Sequence, residues 1–190
     1  MPLPNFPTIG ELVGEHYPYD AKIVVGEDTI EIHHYFACLM SPEFHKMFDK
    51  GTNEAQTDFI EIKDFDAATV RDVIDFCYGR QDRQLSTEEV VRMLRFADKY
   101  DIKVVVQRFE ANLANFITNN TFSMLAHYAW ELKGKEHLQQ ELIDFLQDHP
   151  LLTISSKFAK LPMEIKDAII RAAALSEDAV SGEEEEAVSD

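Results

Sequence analysis

Strand-like alternation confined to the first 62 residues, with only helical periodicity after it, is the feature that most constrains how this chain can fold. Residues 22–25 and 29–33 (Lys-Ile-Val-Val and Thr-Ile-Glu-Ile-His) flank a Gly-containing loop, which predicts a β-hairpin. Residues 59–62 (Phe-Ile-Glu-Ile) predict a third short strand. Strands and helices that come in separate runs are typical of an α+β fold, so we expect a small three-stranded sheet capped by a helical cluster.

Helical signals in the first half of the chain have clear start residues. Ser41 followed by Pro42 predicts a helix start, because Ser is a favoured N-cap and Pro fits the first turn. Asp66 caps a longer helix, and Ser86 with Glu89 has the pattern of a capping box. Apolar residues at helical spacing predict the buried face of each helix: Phe44, Met47 and Phe48; Val70, Val73, Ile74, Cys77 and Tyr78; Val90, Met93, Leu94 and Ala97.

The second half of the chain has helical periodicity without a strand signal. Residues 116–175 contain several apolar stripes at helical spacing, one of which includes Leu138 and Leu142. Pro150 and Pro162 mark the breaks in this pattern. This spacing predicts an all-helical C-terminal extension made of several short helices.

Two terminal segments differ from the rest of the chain. Residues 1–18 are rich in proline and contain a short amphipathic helix pattern with Ile9, Leu12 and Val13 on one face. Residues 176–190 contain seven acidic residues and no Lys or Arg, a composition that predicts disorder. We therefore divide the chain into segments 1–18, 19–115, 116–175 and 176–190.

The charge balance excludes two classes of partner. The chain has 18 Lys and Arg residues against 35 Asp and Glu residues, a net charge of −17. A nucleic-acid-binding protein needs clustered cations to neutralise phosphates, and an anionic membrane surface attracts basic rather than acidic segments. We therefore expect no nucleic acid and no membrane among the partners.

Cysteine usage and hydropathy indicate an intracellular protein. Cys38 and Cys77 each lie among apolar neighbours, which is typical of reduced core cysteines rather than of a disulfide framework. No leader pattern is seen at residues 1–8, and no apolar run approaches the roughly 18 residues that span a bilayer. We expect the chain to lie in the cytoplasm, in the nucleus or in both.

Candidate catalytic or metal-binding residues are few. His33 and His34 are adjacent, but no Cys, Asp or Glu at ligand spacing shares a face with them, so packed histidines are favoured over a metal site. The sequence has no Gly-rich phosphate loop, nucleophile elbow or paired-carboxylate pattern. We expect no cofactor, no metal and no enzymatic activity, and a small hydrolase is the least favoured alternative.

Three motifs occur in a fixed order along the first part of the chain. The first begins with Asp20-Ala-Lys-Ile-Val-Val, continues with Ile32-His33 and ends with Leu39-Met-Ser-Pro-Glu-Phe-His-Lys-Met-Phe48. The second joins Ile60-Glu-Ile-Lys-Asp-Phe65 to Val73-Ile-Asp-Phe-Cys-Tyr-Gly79, and the third joins Phe96-Ala-Asp-Lys-Tyr100 to Phe109-Glu-Ala-Asn-Leu113. The ordered set covers residues 9–115 and resembles the BTB/POZ family. The resemblance implies the BTB/POZ fold, whose general role is protein–protein interaction.

The resemblance implies two interaction sites. A homodimer interface is implied at the short N-terminal helix, through Ile9, Leu12 and Val13. Docking of a cullin-3 ubiquitin ligase is implied for one helix and the loop after it, through Phe44, Met47, Phe48, Thr52 and Glu54. Thr52 stands where the family usually has an apolar anchor.

Residues 116–175 resemble the 3-box or BACK helices that follow the domain in cullin-3 adaptors, especially the speckle-type MATH–BTB kind. No MATH, kelch or zinc-finger segment occurs in these 190 residues. The leading interpretation is a homodimeric adaptor or scaffold that links an unidentified client protein to cullin-3. The alternative is a non-ligase assembly subunit of a chromatin or transcription complex. Thr52, the acidic segment and Met40, which stands where many relatives carry Arg, favour this alternative.

Overall fold

The computed structural model describes residues 17–49, 57–80 and 83–186, and it describes side chains as far as residue 174. The chain divides into two compact units, Met1–Ala111 and Asn112–Asp190. The predicted boundary after residue 115 lies four residues beyond this division. The short helix predicted within residues 1–18 lies outside the described residues.

A three-stranded sheet with the order β2-β1-β3 lies in the first unit. Strands β1 (Ala21–Val25) and β2 (Asp28–Ile32) are antiparallel, and β3 (Phe59–Ile62) runs parallel to β1. The hairpin turn uses Gly26 with a φ of 61°, a left-handed conformation that glycine adopts without steric cost. The predicted hairpin and third strand are confirmed.

In the first unit, two helices lie between β2 and β3, α1 (His34–Met40) and α2 (Pro42–Met47), and three follow β3 among the described residues: α3 (Ala67–Cys77), α4 (Thr87–Lys99) and α5 (Lys103–Phe109). The predicted caps are confirmed by hydrogen bonds. The Oγ of Ser41 and the Oδ1 of Asp66 each accept the backbone N–H three residues further along, at 3.0 and 2.8 Å. Ser86 and Glu89 form the reciprocal capping box. These caps satisfy N–H groups that a helix start otherwise leaves without partners.

The core of the first unit is formed by one face of the sheet and the inner faces of its helices. Aromatic rings connect α2 to α4, since the ring centroid of Phe44 lies 5.1 Å from that of Tyr100 and 6.3 Å from that of Phe96. Full burial of an apolar side chain of this size stabilises a fold by about 1.5–3 kcal/mol. The largest fully buried side chains of this core are Tyr78, Phe44, Phe96, Ile23, Ile32, Ile60, Ile62, Ile74 and Met93.

The second unit is helical wherever it has regular structure, as predicted. A 3₁₀ segment (Glu110–Phe116) contains the division between the units, and it is followed by α6 (Phe122–Glu131), α7 (Glu136–Asp148), a second 3₁₀ segment (Pro150–Ile154), α8 (Ser156–Ala159) and α9 (Met163–Glu186). Its buried residues on α6, α7 and α9 include Leu125, Tyr128, Leu142, Leu146, Ile165 and Ile169, and the 3₁₀ segments and α8 add Leu113, Leu152 and Phe158.

Helix α9 continues past residue 176, where the composition predicts the start of a disordered segment. The stretch after this point contains Ala and Glu, which have high helix propensity, and no proline interrupts it. The boundary at residue 176 therefore does not coincide with the end of a helix. A composition rule that counts only charge and apolar burial overlooks this propensity.

Candidate interaction surfaces

The residues of α2 and its C-cap that are predicted to dock cullin-3 face mainly inward. Phe44 and Phe48 are buried, and Met47 is half-buried. The solvent side of α2 carries His45 and Lys46 instead. Phe44 and Phe48 therefore hold α2 on the core, whereas Met47 has a partly exposed apolar surface that a partner can contact. The predicted loop residues, Thr52 and Glu54, lie outside the described residues.

Helix α1 exposes an apolar pair that the sequence prediction does not include. Tyr35 is 73% exposed and Leu39 is 65% exposed, and their spacing of four residues places them on one side of the helix. Helix α1 contains no Asp, Glu, Lys or Arg. Neighbouring exposed apolar side chains of this size are typical of a surface that another molecule covers.

The predicted dimer residues Ile9, Leu12 and Val13 lie outside the described residues. The structure does describe where the chain leaves that segment. The carbonyl oxygen of Tyr17 lies 3.0 Å from Nε2 of His33, the residue that precedes α1. The N-terminal segment therefore joins the described chain beside the start of the helix that carries the exposed pair.

The start of α1 is fixed by a buried hydrogen-bond group. The backbone N–H of His33 donates to the hydroxyl oxygen of Tyr78 at 2.9 Å, and His33 Nδ1 lies 2.9 Å from the same oxygen. Nε2 donates to the Tyr17 carbonyl, since a carbonyl oxygen can only accept, so the two ring nitrogens connect His33 to Tyr17 and to Tyr78. Asp20 Oδ1 accepts the N–H of His34 at 2.7 Å. The motif residues Asp20, His33 and Tyr78 thus anchor one helix, and His33 is the packed histidine that the sequence predicts.

Burial disfavours the thiolate form of both cysteines. Burial raises the pKa of the Cys77 thiol to about 12, and burial also raises the pKa of Cys38. A thiol needs a lowered pKa to act as a nucleophile near neutral pH. In the described parts of the chain, no three His, Cys, Asp or Glu residues are placed to hold a metal ion, and no helix has the length and apolar character to cross a membrane.

A second exposed apolar pair lies in the second unit, on the 3₁₀ segment after α7. Leu151 is 76% exposed and Ile154 is 80% exposed. Leu151 also borders a cavity of about 600 Å³, in which Lys157 Nζ donates to the backbone carbonyl of Asn120 at 3.0 Å. This surface combines apolar and polar groups, as protein interfaces do.

Comparison with known proteins identifies the family to which this arrangement belongs. The family described as "BTB/POZ domain" matches residues 11–117, which is more than half of the 190 residues. The chain belongs to the BTB/POZ family. The small three-stranded sheet with its covering helices is accordingly the α+β BTB fold, and the chain is a protein-interaction module of a non-enzymatic family.

Several relatives match part of the chain. Kelch-like protein 8 of Caenorhabditis elegans is 30% identical over 111 residues, which are 58% of this chain and 16% of that protein. TD and POZ domain-containing protein 4 of Mus musculus is 24% identical over 139 residues, 73% of this chain and 37% of that protein. Among solved structures, the BTB domain of zebrafish PATZ1 is similar at 18% identity with a TM-score of 0.42, covering 50% of this chain and 75% of that chain. The chain thus spans a minor part of the length of these two relatives.

Proposed function

We propose that this BTB chain is a homodimeric adaptor or scaffold that links a client protein to a cullin-3 ubiquitin ligase. The observation that carries the dimer is the exposed pair Tyr35 and Leu39 on α1, next to the point where the N-terminal segment joins the described chain. A BTB module with this exposed pair gains stability when a second copy covers it, because exposed apolar area is removed from water. The proposal locates the chain inside the cell, in agreement with its unpaired cysteines, Cys38 and Cys77.

Light scattering tests the dimer directly. We expect the purified chain to have twice the mass of one chain, and Leu39→Asp or Leu12→Asp to reduce it to the mass of one. Ile170→Asp is the matched control, because Ile170 is half-exposed on α9 in the other unit. A wild-type monomer, or a dimer that survives both variants, would contradict the proposed interface.

Cullin-3 docking is supported by the BTB fold and by the partly exposed Met47. Surface plasmon resonance with the N-terminal region of cullin-3 tests it. We expect Glu54→Lys to weaken binding about tenfold or more, the loss of one good interface contact. We expect Thr52→Leu to strengthen binding, because it supplies an apolar anchor. Binding that none of these changes affects, or no binding at tens of micromolar, would reject the ligase role.

A second candidate function is a non-ligase assembly subunit of a chromatin or transcription complex. Thr52, Met40 and the acidic C-terminal residues favour it. Affinity purification separates the two functions: cullin-3 and its modifying enzymes are expected with the adaptor, and a stable complex without them is expected with the assembly subunit.

A further inference from the structure

Strand β2 has an outer edge whose backbone groups point away from the sheet. The backbone N–H of Lys22 donates to the residue that precedes β3, so the backbone groups of Lys22 point toward β3 and those of Ile23 point toward β2. Ile23 is in register with Ile30. Because backbone direction alternates along a strand, Thr29 and Glu31 turn their N–H and C=O groups outward. Within the described residues, no other strand pairs with this edge.

A cavity of about 440 Å³ lies along the same edge. Its lining consists of residues 29–31 of β2, Arg71 and Asp75 of α3, Tyr19 and Arg80. The cavity therefore brings outward backbone donors and acceptors together with charged and aromatic side chains. An extended peptide that pairs with a strand edge needs this combination, because main-chain bonds give affinity and side-chain pockets give specificity.

One cation at the cavity, Arg71, forms only a long ion pair with the described residues. Arg80 pairs with Asp75 at 3.3 Å, and Glu31 lies opposite Lys22 across the two strands. Arg71 is half-exposed, and its closest approach to a carboxylate is 4.0 Å, to Asp28. The chain has a net charge of −17. A half-exposed guanidinium with only a long ion pair is complementary to an incoming carboxylate.

We propose that the outer edge of β2 binds an extended peptide segment of a partner protein that carries an acidic side chain. The peptide adds a strand beside β2 through the backbone groups of Thr29 and Glu31, and its carboxylate pairs with Arg71. This site uses none of the residues proposed for dimerisation or cullin-3 docking. A failure of the proposed function would therefore not affect this proposal, and a failure of this proposal would not affect the proposed function. The site provides a means by which the chain holds a client.

Hydrogen exchange of the free full-length chain tests the premise. The amides of Thr29 and Glu31 are expected to exchange quickly, whereas the amide of Ile30, which points to β1, is expected to be protected. Protection of Thr29 and Glu31 in the free chain would mean that its own residues or a second copy already covers the edge. That outcome would overturn the proposal.

Selection from a displayed library of random 12-residue peptides tests the site itself. Binders are expected to carry Asp or Glu among β-branched residues and to lose at least tenfold in affinity with Arg71→Gln and with Thr29→Pro. Thr29→Pro removes only an outward N–H, which an edge strand tolerates, and Arg71→Gln leaves the backbone unchanged. Lys63→Gln is the matched control for charge, because Lys63 is exposed beyond β3.

Three outcomes would overturn the proposal. One is the absence of binders at millimolar concentration, and another is binders that neither Arg71→Gln nor Thr29→Pro affects. The third is a dimer that Thr29→Pro converts to a monomer, which would assign the edge to a second copy of the chain. If Leu39→Asp were the only variant that lost peptide binding, binding would depend on the dimer and not on the outer edge of β2. This result would also overturn the proposal.

Discussion

At the scale of single residues, the buried hydroxyl of Tyr78 constrains the structure through its hydrogen bonds. Tyr78 is almost completely buried, yet its hydroxyl serves both the backbone and the ring of His33. Burial raises the pKa of Tyr78, and the hydrogen bond from the His33 N–H opposes that effect in part. A buried polar group with satisfied partners fixes one arrangement, because every alternative leaves a donor or acceptor without a partner.

Removal of this hydroxyl is therefore expected to cost more than its size suggests. Tyr78→Phe leaves the buried N–H of His33 without an acceptor, which should reduce the free energy of unfolding by about 1–3 kcal/mol. Urea unfolding followed by circular dichroism measures the change. Tyr17→Phe is the control, because it removes an exposed hydroxyl and keeps the carbonyl that faces His33, and it should change stability by less than about 0.5 kcal/mol. Equal effects of the two variants would show that the buried hydroxyl has no special role.

At the scale of elements, helix starts depend on local hydrogen bonds, and the start of α4 is the clearest case. Glu89 accepts the backbone N–H of Ser86 at 2.7 Å and also pairs with Arg83 at 2.9 Å. Arg83 in turn pairs with Asp72 of α3 at 2.8 Å. The backbone hydrogen bond from Ser86, with the other contacts, lowers the pKa of Glu89 to about 2. The capping box thus connects the first turn of α4 to the preceding helix.

This shift predicts a specific acid dependence. Because the folded-state pKa of Glu89 lies below its ordinary value of 4.5, its contribution to stability is present above pH 4.5 and is lost as the pH falls toward about 2. Thermal unfolding of wild type and Glu89→Gln across this range should show a difference that shrinks with acidity. Glu88→Gln, a change outside the capping box, is the control. A difference between wild type and Glu89→Gln that stays constant with pH would contradict the assignment.

Elements with strong local signals were predictable from sequence, whereas the exposed site residues were not. The strands alternate and the starts of α2, α3 and α4 have capping residues, so each has a local cause. Helix α1 has seven residues and no side-chain cap bond, and it is held instead by Asp20 and Tyr78, which are distant in sequence. The exposure of Tyr35 and the burial of Phe44 follow from tertiary packing, and periodicity alone does not state which side of a short helix meets the core.

At the scale of the whole molecule, the net charge and the exposed apolar surfaces have opposite effects on the association of two copies. Each chain has a net charge of −17, so two copies that approach through Tyr35 and Leu39 bring like charges together. Repulsion of this kind weakens association at low ionic strength and is screened when the Debye length falls from about 10 Å at 0.1 M salt to about 3 Å at 1 M. The exposed apolar pairs supply an attraction that salt does not screen.

The proposed dimer is therefore expected to become tighter as salt is added. Sedimentation equilibrium between 50 mM and 500 mM sodium chloride should show the dissociation constant falling severalfold, because screening removes repulsion and leaves the apolar contact intact. Leu39→Asp should remain a monomer at both salt concentrations. An interface built on ion pairs predicts the opposite trend, since screening weakens attraction between opposite charges. A dimer that dissociates as salt increases would thus assign the contact to charged residues and not to α1.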